Sequence, residues 1–129
     1  MTYSLSPSES ATVLVDSAAY YSADELAVTA GEPYEFSCDP GETWTDWWVK
    51  TNADGYCNPL ASLWGQRLRG TKCFCMCGVY DEDDQTAFAI GSRLQLTAGQ
   101  TGKIRFFAND ARHFYFNNTG ALHLTIKRI

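Results

Sequence analysis

The chain has 129 residues, 45% of them hydrophobic and 14% aromatic, and a formal net charge of −5. That length fits one domain over residues 1–129 with a core that needs no disulfide staples, and the composition excludes a disordered chain. Ten Lys and Arg in an acidic sequence leave no footprint for nucleic acid or an anionic membrane, and no run of about 18 apolar residues exists to insert into one.

In chain order the signal is β. The start, MTYSLSPSESATVLV, lacks a basic segment followed by an apolar one, so no signal peptide is expected. A cytoplasmic start, non-classical export and a trimmed start are all left open. ATVLV (11–15), a shorter LAVT (26–29), EPYEFSC (32–38), KCFCMCGVY (72–80), TAFAI (86–90), SRLQLT (92–97), KIRFFA (103–108) and ALHLTIKR (121–128) are rich in β-branched and aromatic residues. Most alternate, and Gly, Pro, Asp and Asn bound them. Only ASLWGQRLRG (61–70) has room for a helical turn, which Gly65 cuts short. Such a series of short strands predicts an all-β fold, a two-sheet antiparallel β-sandwich or jelly roll.

The middle is different. Residues 39–70, DPGETWTDWWVKTNADGYCNPLASLWGQRLRG, carry little strand pattern and all four tryptophans. Long irregular segments in small domains tend to carry function. The tryptophans either cover the end of the sandwich or form a binding surface. Among five cysteines, Cys73, Cys75 and Cys77 alternate in KCFCMCG, which puts all three on one face of a strand with Phe74 and Met76 opposite. Flat i, i+2 thiolates do not close a zinc tetrahedron, so small buried hydrophobes are the preferred reading. The spacing leaves open one bridge from Cys57 or Cys38 to this strand.

The densest chemical signal is FFANDARHFYFNNTGALHLTI (106–126), where an Asn-Asp pair enters a loop and an Asn-Asn pair leaves it. Two Asx turns ending a hairpin would use these residues for the backbone alone. Calcium is the other reading, because it takes six to eight oxygens at roughly 2.4 Å from carboxylates, amides and main-chain carbonyls. Asp110 offers a carboxylate, Asn117 and Asn118 offer amide oxygens from the far side, and Thr119-Gly120 lets the chain twist so that both can reach one ion.

The arrangement ND-x6-NN-[ST]-G before an alternating last strand resembles the PA-I-type galactophilic lectins, calcium-dependent galactose-binding bacterial proteins with a jelly-roll sandwich of about this size. AGEPYEFSC (30–38), GETWTDW (41–47) and TGKIRFFAND (101–110) resemble further family segments, and AFAIGSR (87–93) resembles a wider group of lectin-like domains. The match is close only over 103–127. The resemblance implies calcium held by the side chains of Asp110, Asn117 and Asn118 and by the main-chain carbonyls of Phe114 and Trp47. It implies a sugar of galactose type that places two vicinal hydroxyls on the ion, hydrogen-bonded to Asp110 and Asn117 beside Ala111. The family's His and Gln contacts have no counterpart in TNADGYCNPL (51–60), so Asn52, Asp54 and Tyr56 are expected in their place. One carboxylate implies a weak site, at about 10⁻⁴ M or poorer. Arg112 and His113 depart from the family's small loop residues. They either weaken the ion or point outward.

The acidic run DEDD (81–84) lacks the Gly and distal Glu of an EF-hand and reads as a solvated turn. His123 is out of phase with Leu122 and Leu124 and is expected to face solvent. No nucleophile–base set is marked, and a glycosidase would have to pair two of Asp46, Asp54 and Asp110. The expectation is a non-catalytic, calcium-dependent, carbohydrate-binding protein for galactose-type glycans, with a dimer or tetramer offsetting weak single sites. The alternative is a structural or protein-interaction sandwich that has lost ion and sugar.

Overall fold

Alternation decides the layers. In the last strand, Ala121–Arg128, the side chains of Leu122, Leu124 and Ile126 are fully buried while His123, Thr125 and Lys127 are exposed. The computed structural model describes residues 1–129 apart from the side chains of residues 61 and 62. Its strands are β1 (Thr2–Tyr3), β2 (Ser10–Asp16), β3 (Glu25–Val28), β4 (Pro33–Ser37), β5 (Trp44–Asp46), β6 (Val49–Thr51), β7 (Met76–Tyr80), β8 (Phe88–Ala89), β9 (Arg93–Thr97), β10 (Gly102–Ala108), β11 (Asn118–Thr119) and β12 (Ala121–Arg128). One helical turn, α1 (Ala61–Trp64), ends at Gly65 with φ +75°. No helix is long and apolar enough to cross a membrane among the described residues.

Two sheets form the sandwich. The front sheet has the order β1-β3-β10-β7-β8, with only β1 and β3 parallel; the back sheet, β2-β12-β4-β9, is wholly antiparallel. Their inner faces meet in one apolar core, where Phe36 of the back sheet lies edge-on to Phe106 of the front at 5.8 Å between ring centroids. The all-β sandwich expected from the alternation is therefore present, and the strands expected over 11–15, 26–29, 32–38, 92–97, 103–108 and 121–128 are found within one residue of those limits.

A third, small sheet, β11-β5-β6, closes one end. It rises from the segment that carries no strand pattern in the sequence, because strands of two or three residues are too short to display a period. Trp44 plugs the core there, fully buried, and its indole N–H donates to the Phe74 carbonyl at 3.1 Å. Gly120, at φ +88°, lets β12 begin against the Trp44 backbone; a Cβ would stand 3.2 Å from Trp44 Cα. Of the four tryptophans only Trp44 covers the core. Trp47, Trp48 and Trp64 are exposed.

Three expectations need correction. The strand expected over 72–80 begins at Met76, because Phe74 takes φ +61° to enter the core beside Trp44. Cys73 consequently leaves the face shared by Cys75 and Cys77 and bridges to Tyr56 instead. TAFAI shrinks to the two residues of β8 after a 3₁₀ turn, Asp84–Thr86. The acidic run is only partly solvated: Asp81 and Glu82 make the left-handed corner of a tight turn, but Asp84 turns inward to a buried arginine. All five cysteines carry free thiols. His123 faces solvent as expected, beside Glu42 at 3.1 Å.

Phe36→Ala should destabilise the protein by about 3–5 kcal/mol, as expected for a fully buried ring that joins two layers. His123→Ala should stay within about 0.5 kcal/mol. Urea unfolding of both variants checks the assignment of inner and outer faces, which equal effects would contradict.

Candidate metal and ligand site

Each polar residue of the 109–118 loop has a separate task. Asn109 is fully buried: its side-chain oxygen accepts from the Leu68 N–H at 3.0 Å, and its amide donates to the carbonyls of Leu68, Thr71 and Lys72 at 3.0–3.3 Å. It clamps the long middle segment to the end of β10. Asp110 accepts the Ala111 N–H on Oδ1 at 2.7 Å. A 3₁₀ turn, Arg112–Asn117, follows and buries Tyr115 while exposing Arg112, His113 and Phe116. Arg112 and His113 point outward, Arg112 to within 3.6 Å of Asp84. Asn118 donates its amide N–H to the Ser17 carbonyl at 2.9 Å, which fixes its oxygen on the opposite side.

Three side-chain oxygens are thereby left buried with no hydrogen-bond partner: Asp110 Oδ2, Asn117 Oδ1 and Asn118 Oδ1. Each buried, unsatisfied acceptor costs about 1–3 kcal/mol. Asx turns would have engaged these oxygens with backbone N–H groups, whereas carboxylate and amide oxygens without donors are the kind of ligand a hard cation takes. A second carboxylate stands beside them. Asp46 pairs with Asn118 across β5 and β11, and its Oδ2 accepts the Tyr56 hydroxyl at 2.5 Å. Burial first, then the Asp46 charge, push the Asp110 carboxyl up to about 6, against the opposing pull of the Ala111 N–H and the Asn118 side chain. The residues present fit a calcium ion.

The loop forms one wall of a cleft of about 250 Å³. Trp47, Tyr56, Asp110, Ala111, Phe114 and Asn117, all expected at the site, line it, and Asn118 is buried in β11 behind it. The Trp47 N–H donates to the Asn117 carbonyl at 3.1 Å, and Trp47 holds φ +56°, an uncommon conformation for a bulky residue that ties this peptide to the loop. Asn52 and Asp54 do not join the cleft. Asn52 caps its own turn by accepting the Asp54 N–H, and the Asp54 carboxylate accepts the N–H and hydroxyl of Ser92 at 2.7 and 3.0 Å. Polar residues absent from the expected set line the cleft instead: Asp46, Asn58 and Gln66. Gln66 arrives through an isolated bridge to Ala111, a pairing across 45 residues that no local pattern encodes. The Trp47 and Trp48 rings lie 3.9 Å apart with their planes tilted by 47°, and Trp64 meets Phe114 edge-on at 5.8 Å, so the rim is aromatic.

A native carboxyl raised above its unfolded value holds its proton more tightly when folded. Metal-free stability should therefore fall as pH rises from about 4 toward about 6, and Asp110→Asn should remove that fall. Thermal melts in chelator between pH 4 and 7 measure both profiles, and coincident curves would refute the buried, strained carboxylate.

No protein-family model and no curated protein matches the chain. Among solved structures it is similar to a chain described as "EclA N-terminal domain; PllA-like lectin", with a TM-score of 0.65 and 16% sequence identity over 93% of this chain and 95% of that one. At that identity the likeness establishes a shared fold, which agrees with the sandwich described above.

Proposed function

We propose that this chain is a non-catalytic, calcium-dependent carbohydrate-binding protein, a lectin, for galactose or a similar sugar that presents a vicinal diol to the ion. The observation that carries this reading is the set of three buried, donor-less oxygens on Asp110, Asn117 and Asn118. Those side chains, with the main-chain carbonyls of Trp47 and Phe114, are the ion's ligands in this reading. Asp46 raises the local negative charge beyond the single carboxylate expected. When bound, calcium supplies open coordination positions for two hydroxyl oxygens.

The chain's own residues do the rest. Asp110 and Asn117 hydrogen-bond the same hydroxyls beside Ala111. Asn58 and Gln66 take the peripheral role expected of Asn52 and Asp54. Tyr56 and the exposed indoles offer faces to the C–H side of a sugar ring. The lectin named as structural neighbour supports carbohydrate as the ligand class.

A hydrolytic reading has one specific observation in its favour: Asp46 and the raised Asp110 share a cleft, as a base and an acid would. Donor-less amide oxygens beside Asp110 favour the cation instead, since they would offer no proton or hydrogen bond to a leaving group. Turnover of a chromogenic galactoside that vanishes in Asp46→Asn would establish hydrolysis.

The deciding experiment is a thermal melt in chelator and in 10 mM calcium, roughly 100 times the expected dissociation constant, which should stabilise the wild type by about 2.7 kcal/mol. Asp110→Ala should not respond, and galactose should add a further rise only with calcium present. Identical melts in both buffers would leave the protein-interaction reading in its place.

A further inference from the structure

Behind the loop, on the outer face of the front sheet, lies a buried cation that the ligand set does not use. The Arg67 side chain is fully buried, its guanidinium sandwiched between the rings of Tyr20 and Phe107 at 3.6 and 3.5 Å from their centroids. It grips Asp84 with two parallel bonds, Nε to Oδ2 and Nη2 to Oδ1, both 3.1 Å. Its remaining nitrogen donates to the Tyr20 carbonyl and, at 3.0 Å, to the Tyr115 hydroxyl. The Tyr115 hydroxyl donates to the Ala108 carbonyl at 2.5 Å, and the Arg67 backbone N–H donates to the Asp110 carbonyl at 3.1 Å.

Arg67 thus holds the loop at three points: the end of β10 through Tyr115, the peptide of Asp110, and the middle of the 3₁₀ turn. It touches none of the three donor-less oxygens. We propose that Arg67, acting through Tyr115, is the positioning residue of the cation site, and that it sets the affinity for calcium by pre-forming the loop before the ion arrives. The inference rests on the calcium reading above.

Two physical points support it. Calcium affinity depends on site rigidity as well as ligand charge, because a loose loop must be ordered by the ion itself. A bare cation behind a cation site would repel the ion, but Asp84 neutralises Arg67, so the clamp adds order without adding positive potential. Phosphate- or carboxylate-binding is excluded as the use of this arginine, since its nitrogens are already engaged and it is sealed from solvent.

The test separates affinity from stability. Calcium dissociation constants are measured by calorimetric titration of the full chain, at a temperature where every variant is folded, for wild type, Arg67→Lys, Tyr115→Phe and Val79→Ala. Val79 is fully buried on the same outer face but is not in the loop's hydrogen-bond chain. Arg67→Lys and Tyr115→Phe should weaken calcium binding by about 10- to 100-fold, the range found when groups that orient metal ligands are removed. Val79→Ala should lower the melting temperature and leave the dissociation constant unchanged. If Arg67→Lys does not fold, Tyr115→Phe alone decides, because it deletes one hydroxyl and keeps the ring. Affinities within threefold of wild type, or a matching loss in Val79→Ala, would overturn the positioning role while leaving the calcium site standing. A wild type that takes up no calcium would overturn the calcium reading and this inference together.

Discussion

The arrangement of this protein's functional end depends on one desolvated charge. Taking a guanidinium out of water costs several kcal/mol, and Arg67 is tolerable only where every donor has a partner and both faces have a ring. Those partners come from the 17–24 segment, the 81–84 turn and the loop after β10. Satisfying one side chain therefore fixes three stretches of chain against the outer face of the front sheet. The cleft, the 3₁₀ turn and the Asp110 carboxylate inherit their positions from that requirement. Asn109 performs a parallel task with a neutral amide, pinning 68–72 from the opposite side of the same strand end.

What the sequence made legible follows from range. The long strands announce themselves by alternation because burial on one face is a local, period-2 demand, as in Leu122, Leu124 and Ile126. Asp110, Asn117 and Asn118 were legible as a group because they sit at the two ends of one short loop. Asp46, Asn58 and Gln66 were not, since they reach the cleft through cross-strand and bridge pairings that leave no mark on their neighbours. Asn52 and Asp54 mislead for the reason that makes Asn and Asp common in turns: their oxygens bond nearby backbone. Asp84 hides among three exposed acids, and only its distant partner distinguishes it. Cys73 leaves its expected face because a buried phenylalanine next to it needs a left-handed backbone, a tertiary demand that overrides strand propensity.

The loop also resolves an apparent conflict of charge. Five bulky residues, two of them basic, occupy a turn that borders the three donor-less oxygens. The 3₁₀ geometry manages this by sending Arg112 and His113 outward and drawing in one residue, Tyr115, whose hydroxyl is already committed to protein partners. Asp110 Oδ2 and the side-chain oxygens of Asn117 and Asn118 are left without a hydrogen donor. The Asp46 charge adds to the cost of burying the Asp110 carboxylate, an instability that either a proton or a cation relieves.

The site draws on Ser17, Asp46, Arg67, Asp84 and residues 108–118, so its parts lie as much as a hundred positions apart. Where those parts come together only after the folding transition state, an ion finds no site in that state. It would leave the folding rate almost unchanged and act on the unfolding rate, lengthening the lifetime of the native protein more than it hastens the chain toward it.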